Sequence, residues 1–158
     1  MKYLAAFLAL FMCSAAFSAG LDDIHLRDHT DLVSQASSSI QNQQYQKALI
    51  YMESAVSLAP NIAENHFLYC MLKERTGKPE SKTKPCYKKV VMMLSQDKFT
   101  SCEKNINCII ADLMAEGPKA EARKHKFLEK PATSTEAEVA RYLLNDFDRT
   151  KFLQSILP

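Results

Sequence analysis

The chain is poor in glycine and has no tryptophan: only three of its 158 residues are glycine, at positions 20, 77 and 117. Phosphate-binding loops need several closely spaced glycines, and the nucleophile elbow of hydrolases needs the pattern G-x-S-x-G. Neither pattern is present. No catalytic residues and no cofactor are therefore expected, and the sequence predicts a protein that is not an enzyme.

The chain also lacks a strong charge of one sign. Its 20 lysines and arginines face 18 aspartates and glutamates. A protein that binds nucleic acid usually presents a strong positive field, so nucleic acid is not expected as a partner. Beyond residue 20 no apolar run approaches the roughly 20 residues of a transmembrane helix, so we expect no stable membrane insertion.

The first residues have the features of a Sec signal peptide. Lys2 supplies a positive charge, Leu4–Met12 is a continuous apolar run, and Ala16–Ser18 ends in small residues. This arrangement predicts cleavage after Ser18, or as late as Gly20. The sequence therefore predicts an exported protein of the bacterial periplasm, or a secreted one.

The cysteines point to the same compartment. Cys13 lies within the predicted signal peptide, and Met12 before it is a poor fit to a lipoprotein signal, so lipidation is not expected. An even number of cysteines in an exported chain indicates disulfides, and the paired C-x-x-C spacing of a zinc site is missing. Three pairings are possible for the four that remain: Cys70, Cys86, Cys102 and Cys108.

The composition favours helix, since alanine, leucine, lysine, glutamate and glutamine are frequent. In the run YQKALIYMESAVSLAP, Ala48 and Ala55 lie seven residues apart on one helical face, and Pro60 ends the helix. Upstream, Leu32 and Ala36 share a face on a preceding helix. Two antiparallel helices that meet through small side chains can pack closely. We therefore expect an all-α fold built from helix hairpins.

This pattern resembles a tetratricopeptide-repeat helix hairpin over residues 31–94. Ala36 and Cys70 are separated by 34 residues, the repeat length of that family. The resemblance implies one helical domain, residues 31–158, with hairpins 31–60 and 61–98 in a right-handed stack and helices 104–158 as its cap. Residues 19–30 precede it as an acidic arm or as an extension of the first helix.

The resemblance also implies a disulfide pairing. Its register places Cys70 where the first hairpin has Ala36. If the four additional residues of the second hairpin lie in the turn, Cys86 takes the place of Ala48. The two cysteines then face each other where the helices are closest, which implies a Cys70–Cys86 disulfide and leaves Cys102 to pair with Cys108 across a turn.

The family's partner groove is lined by the first helix of each hairpin. The resemblance therefore implies a partner-binding surface with Phe67 and Met71 as apolar anchors inside a polar rim. The competing interpretation places both side chains in the core. The full set of matching positions is Ser37, Ile40, Gln41, Phe67, Met71, Glu74 and Arg75.

A basic cluster could steer an acidic partner or could simply form a solvated face. Its members lie around the second hairpin: Lys73, Arg75, Lys78, Lys82, Lys84, Lys88 and Lys89.

The leading hypothesis is an exported, non-enzymatic protein-binding module, and within that class an immunity protein that occludes a toxin such as a type VI secretion amidase. A second hypothesis is an adaptor or assembly factor for a cell-envelope complex. A third is a metal-binding protein that uses His25 and His29, which lie one helical turn apart. The alternative for these histidines is an exposed polar arm.

Overall fold

The computed structural model describes residues 16–96, 101–129 and 135–158, and the side chains of residues 28–96, 101–129 and 138–158. All regular structure in these ranges is helical, as predicted. The α-helices are, in chain order, α1 (Ala16–Gln41), α2 (Tyr45–Leu58), α3 (Ala63–Arg75), α4 (Glu80–Ser95), α5 (Ile106–Met114), α6 (Ala120–Leu128), α7 (Thr135–Asn145) and α8 (Arg149–Ile156). Each of the first six helices packs against the next one in the chain. A short 3-10 turn, Cys102–Lys104, lies between α4 and α5.

The first helix is longer than the sequence suggested. A separate acidic arm at residues 19–30 is wrong, because α1 runs from Ala16 without interruption and the arm is an extension of it. Residues 21–41 contain no glycine or proline that would break the helix. Ala36 and Ala48 are fully buried where α1 packs on α2, so the predicted small-residue contact is present.

The second hairpin consists of α3 and α4. The segment before Cys86 is largely helical, because α4 begins at Glu80. Pro79 is the extended N-cap residue, and the Glu80 carboxylate pairs with Lys84 one turn later at 2.7 Å. Pro85 is tolerated inside the helix because the carbonyl that it leaves without a partner belongs to Ser81, which is exposed to water.

Two disulfides join the pairs implied by the repeat register. Cys70 is bonded to Cys86 with a Cα–Cα distance of 5.7 Å, and Cys102 to Cys108 with a distance of 5.2 Å. Of the four additional residues of the second hairpin, however, three lengthen the start of α4 and only one lengthens the turn. The first disulfide therefore links α3 to α4, and the second fixes the turn that leads into α5.

The last helices belong to the same core as the hairpins. Asp148 caps α8 by accepting a hydrogen bond from the Lys151 N–H at 2.7 Å. Leu144, Phe152 and Leu157 are buried in the cluster that also contains the buried residues of α2 and α3. The C-terminal helices are thus packed against the rest of the chain.

A single arginine connects three helices to the start of α8. Arg149 donates to both carboxylate oxygens of Glu74, at 2.6 and 2.8 Å, to the Thr83 hydroxyl at 3.2 Å and to the Met114 carbonyl. Its guanidinium also lies 5.7 Å from the centre of the Tyr87 ring. Burial alone would lower the pKa of Arg149, but the hydrogen bonds and charge of Glu74 outweigh it and raise that pKa. Arg149 therefore ties α8 to α3, α4 and α5.

Removing the disulfide that closes the longer loop should destabilise the chain more than removing the other. Replacing Cys70 and Cys86 by alanine should lower the free energy of unfolding by about 3 kcal/mol, and replacing Cys102 and Cys108 by about 2 kcal/mol, because the second loop is shorter. Urea denaturation followed by circular dichroism measures both values. A larger loss for the shorter loop would contradict this account.

Removing both partners of the Arg149–Glu74 pair should cost less than the sum of the two single removals. Arg149→Leu or Glu74→Leu alone leaves a poorly solvated charge without its counterion, which should lower the free energy of unfolding by about 2 to 4 kcal/mol. The double variant should cost less than the sum of the two. Urea denaturation of the four proteins gives this coupling, and strictly additive losses would mean that the pair is not coupled.

Candidate functional site

The apolar anchors of the predicted groove are not on the surface. Phe67 and Met71 are each only 6 % exposed and belong to the hydrophobic core. The Phe67 ring meets the buried Tyr87 ring edge-on at 6.0 Å. The prediction that these two side chains face a partner is therefore wrong, and the competing core interpretation is confirmed.

The charged pair of the predicted groove is engaged within the chain. Glu74 holds Arg149, and Arg75 donates from its Nε to the Leu157 carbonyl at 2.8 Å. The Arg75 guanidinium also stacks 4.6 Å from the centre of the Tyr45 ring. These contacts fasten α8 to the end of α3. A charge reversal at either position would therefore loosen α8, and would not by itself report on partner binding.

The groove residues of the first hairpin lie on α1. Ser37 and Gln41 are exposed and Ile40 is half-buried. The Ser37 hydroxyl donates to the Val33 carbonyl one turn earlier, at 2.9 Å. The structure thus leaves these three positions and Arg75 accessible, without the apolar anchors that would make them a binding groove.

The described side chains do not form a metal site at the two histidines of the metal hypothesis. The His25 side chain lies outside the described side chains. His29 is buried, and its Nε2 contacts the amide nitrogen of Asn65, which is also buried. Within the described ranges no group of three or more histidine, cysteine, aspartate or glutamate residues is arranged to hold a metal ion.

Two adjoining clefts open where the α5–α6 turn meets α4. The first has a volume of about 460 Å³ and is lined by Lys88, Met92, Asp112, Gly117, Lys119 and Arg123, among others. The second, about 370 Å³, includes Ser101, Cys102, Glu103, Lys119, Arg123 and Lys126 in its lining. Lys119 and Arg123 line both clefts. We call this combined surface the cationic cleft.

Arg123 is held in place by a buried aspartate. Its Nη1 donates to Asp112 Oδ2 at 2.6 Å, and Asp112 is almost completely inaccessible to water. No second acceptor among the described residues takes up the remaining N–H groups of Arg123. The cleft therefore contains a guanidinium whose position is fixed on one side and whose hydrogen-bonding capacity is incompletely used.

Gly117 allows this arrangement. Its N–H donates to the Asp112 backbone carbonyl at 2.9 Å, in the turn between α5 and α6. A Cβ atom added at Gly117 would lie 1.7 Å from Asp112 Oδ1, which is far inside van der Waals contact. The close approach of the turn to Asp112 therefore requires glycine at this position.

The other cations of the cleft differ in how they are paired. Lys126 forms an ion pair with Glu103 at 2.5 Å. Lys88 and Lys119 are exposed and have no ion pair with the described side chains. Met92 lines the same cleft as these two lysines. It is 58 % exposed and offers an apolar contact.

Sequence reasoning found only part of this site. Lys88 was in the predicted basic cluster, but Lys119, Arg123 and Lys126 were missed. Their spacing of four and three residues was a usable signal, since it places three cations along one side of a short helix. Nothing in the sequence indicated that α6 would lie beside α4.

Comparison with known proteins adds no relative. No family model, no curated protein and no solved structure matches the chain. Within the described residues, no helix has both the length and the apolar character needed to cross a membrane.

Gly117→Ala should disturb the site through Asp112. The added methyl group must displace the Asp112 carboxylate, which should lower the free energy of unfolding by about 1 to 3 kcal/mol. In an Asp112→Ala background the same substitution should cost much less, because the colliding atom is gone. Urea denaturation measures both effects. An equal cost in the two backgrounds would show that the strain lies in the backbone.

Proposed function

We propose that the chain is an exported, non-enzymatic protein-binding module whose cationic cleft takes an acidic segment of another protein. The observation that carries this proposal is the Arg123 guanidinium, which is fixed by buried Asp112 and lies on the boundary of two open clefts.

The chemistry of the cleft suits a carboxylate. Hydrogen bonds between a guanidinium and a carboxylate are charge-assisted and geometrically specific. Because Asp112 already holds Arg123, binding costs little further side-chain entropy. Lys119 can contact the same carboxylate or its neighbour, and exposed Met92 offers an apolar contact beside it. A charged contact next to an apolar one is the usual composition of a protein–protein interface.

The surroundings of the cleft are covalently restrained. Cys102 lines the second cleft and is bonded to Cys108 at the start of α5. The Cys70–Cys86 disulfide holds α4, which carries Lys88 and Met92. Such restraint favours a surface that is already formed before the partner arrives.

Export is part of the proposal. The two disulfides are compatible with a protein that functions outside the reducing cytosol. The sequence of residues 1–18 supplies the signal peptide that this location requires. We also propose that hairpins α1–α2 and α3–α4 stack in the tetratricopeptide manner with α5–α8 as the cap. The packing of α2 on α3 supports this arrangement.

Two biological roles fit this function, each with its own partner. An immunity protein would bind a toxin, such as a type VI secretion amidase, and an adaptor would bind a component of an envelope complex. Both need a preformed protein-binding surface, and neither needs catalytic residues. The identity of the bound protein separates them.

The proposal is tested by binding in the mature, disulfide-bonded chain. The partner is captured from periplasmic extract, purified separately, and its Kd measured by calorimetry. Lys88→Gln combined with Lys119→Gln should weaken binding at least tenfold, because two charge-assisted contacts are lost. Both side chains are exposed, so the fold should be unaffected.

The matched control is Lys78→Gln combined with Lys82→Gln, which removes the same charge from exposed lysines outside the cleft. Binding by this control should stay within threefold of the unmodified protein. If both double variants bind equally well, or are weakened equally, the cleft is not the binding site.

A further inference from the structure

We propose that the cleft between α7 and α8 is a second docking surface, which takes an arginine side chain of a partner protein. The surface uses none of the residues of the cationic cleft, so it stands independently of the function proposed above. We call it the α7–α8 cleft.

Helix α7 buries one face and leaves large apolar side chains exposed on another. Ala140 and Leu144 are buried, whereas Val139 is 54 % exposed and Tyr142 is 85 % exposed. Val139 and Tyr142 are three residues apart on α7, which places them on the same side of the helix, and Asp146 directly follows the last residue of α7. Tyrosine contributes strongly to many protein interfaces because it combines a large rigid ring with a polar end.

A cleft of about 260 Å³ opens beside Tyr142. Its apolar lining comes from Leu143 and Phe152, and its acidic lining from Asp146 and Asp148. Lys151 and Ser155 complete the set of lining residues.

The acidic groups leave an incompletely neutralised negative charge. Asp148 uses Oδ1 to cap α8, which leaves its Oδ2 without a described hydrogen bond. Asp146 is exposed and forms no ion pair with the described side chains. The lining contains two carboxylates and one ammonium group, that of Lys151. This excess of negative charge favours a cationic ligand.

Arginine fits this combination better than lysine does. A guanidinium is planar, so it can stack on an aromatic ring while it donates to carboxylates in its own plane. The chain uses this geometry elsewhere, since Arg149 binds Glu74 while it lies over the Tyr87 ring. Arg75 likewise stacks on Tyr45 at 4.6 Å. The α7–α8 cleft has carboxylates and a tyrosine in its lining, and no arginine is among the described residues that line it.

The test is a titration of the full disulfide-bonded chain, labelled with nitrogen-15, with N-acetyl-arginine amide. N-acetyl-citrulline amide is the matched probe, because it has nearly the same shape and no charge. Amide resonances of Tyr142, Asp146 and Ser155 should shift with the arginine probe. At equal concentration the citrulline probe should shift them at least fivefold less.

Two substitutions, one on α7 and one directly after it, locate the site. Asp146→Asn should reduce the shifts at least threefold, whereas Glu138→Gln, which removes the same charge from an exposed residue outside the cleft, should leave them unchanged. Lys88→Gln combined with Lys119→Gln should also leave them unchanged, so failure of the cationic cleft and failure of the α7–α8 cleft are distinguishable.

Three results would overturn the proposal. The first is equal shifts with the two probes, and the second is equal effects of Asp146→Asn and Glu138→Gln. The third comes from sedimentation velocity of the free chain: a dimer that Tyr142→Ala dissociates would show that the face binds a second copy of the chain. Tyr142 is almost fully exposed, so this substitution should not affect folding.

Discussion

The position of the C-terminal helices depends on the contacts that the Arg149 guanidinium makes. It contacts side chains of α3 and α4 and a main-chain carbonyl of α5, and it sits at the first position of α8. A half-buried charge is stable only when it is both paired and hydrogen-bonded, so these partners must stay in register with one another. Any movement of α8 would therefore break several charge-assisted bonds together.

This constraint explains why the predicted partner groove is not available. The α3 residues that the tetratricopeptide resemblance assigns to a partner are used by the chain itself: Phe67 and Met71 in the core, Glu74 by Arg149, and Arg75 by the Leu157 carbonyl. The resemblance identified a helix face that is built for contact. The face makes its contacts with other parts of the same chain, including α8, which lies far away in sequence.

The features that the sequence predicted well are local or depend on one register. The helical content follows from composition, and the Ala36–Ala48 contact follows from the spacing of a few neighbouring residues. The disulfide pairing followed from a 34-residue spacing between Ala36 and Cys70. The helical residues at the start of α4 were not indicated by the repeat register, because they depend in part on the Glu80–Lys84 pair. The candidate site was missed because it requires α4 and the start of α6 to line one cleft, and no local pattern encodes that arrangement.

The number of donors already in use distinguishes a structural arginine, Arg149, from a binding one, Arg123. Arg149 donates to four acceptor atoms, and its remaining contact is the Tyr87 ring, so it has little capacity left for a ligand. Arg123 has one described acceptor, Asp112, and lines two open clefts. Both arginines are held by a carboxylate, but only Arg123 keeps free donors at an accessible surface. A fixed guanidinium with unused donors has the property that carboxylate recognition needs, and its position in the cationic cleft makes an acidic protein segment the partner that the chemistry favours.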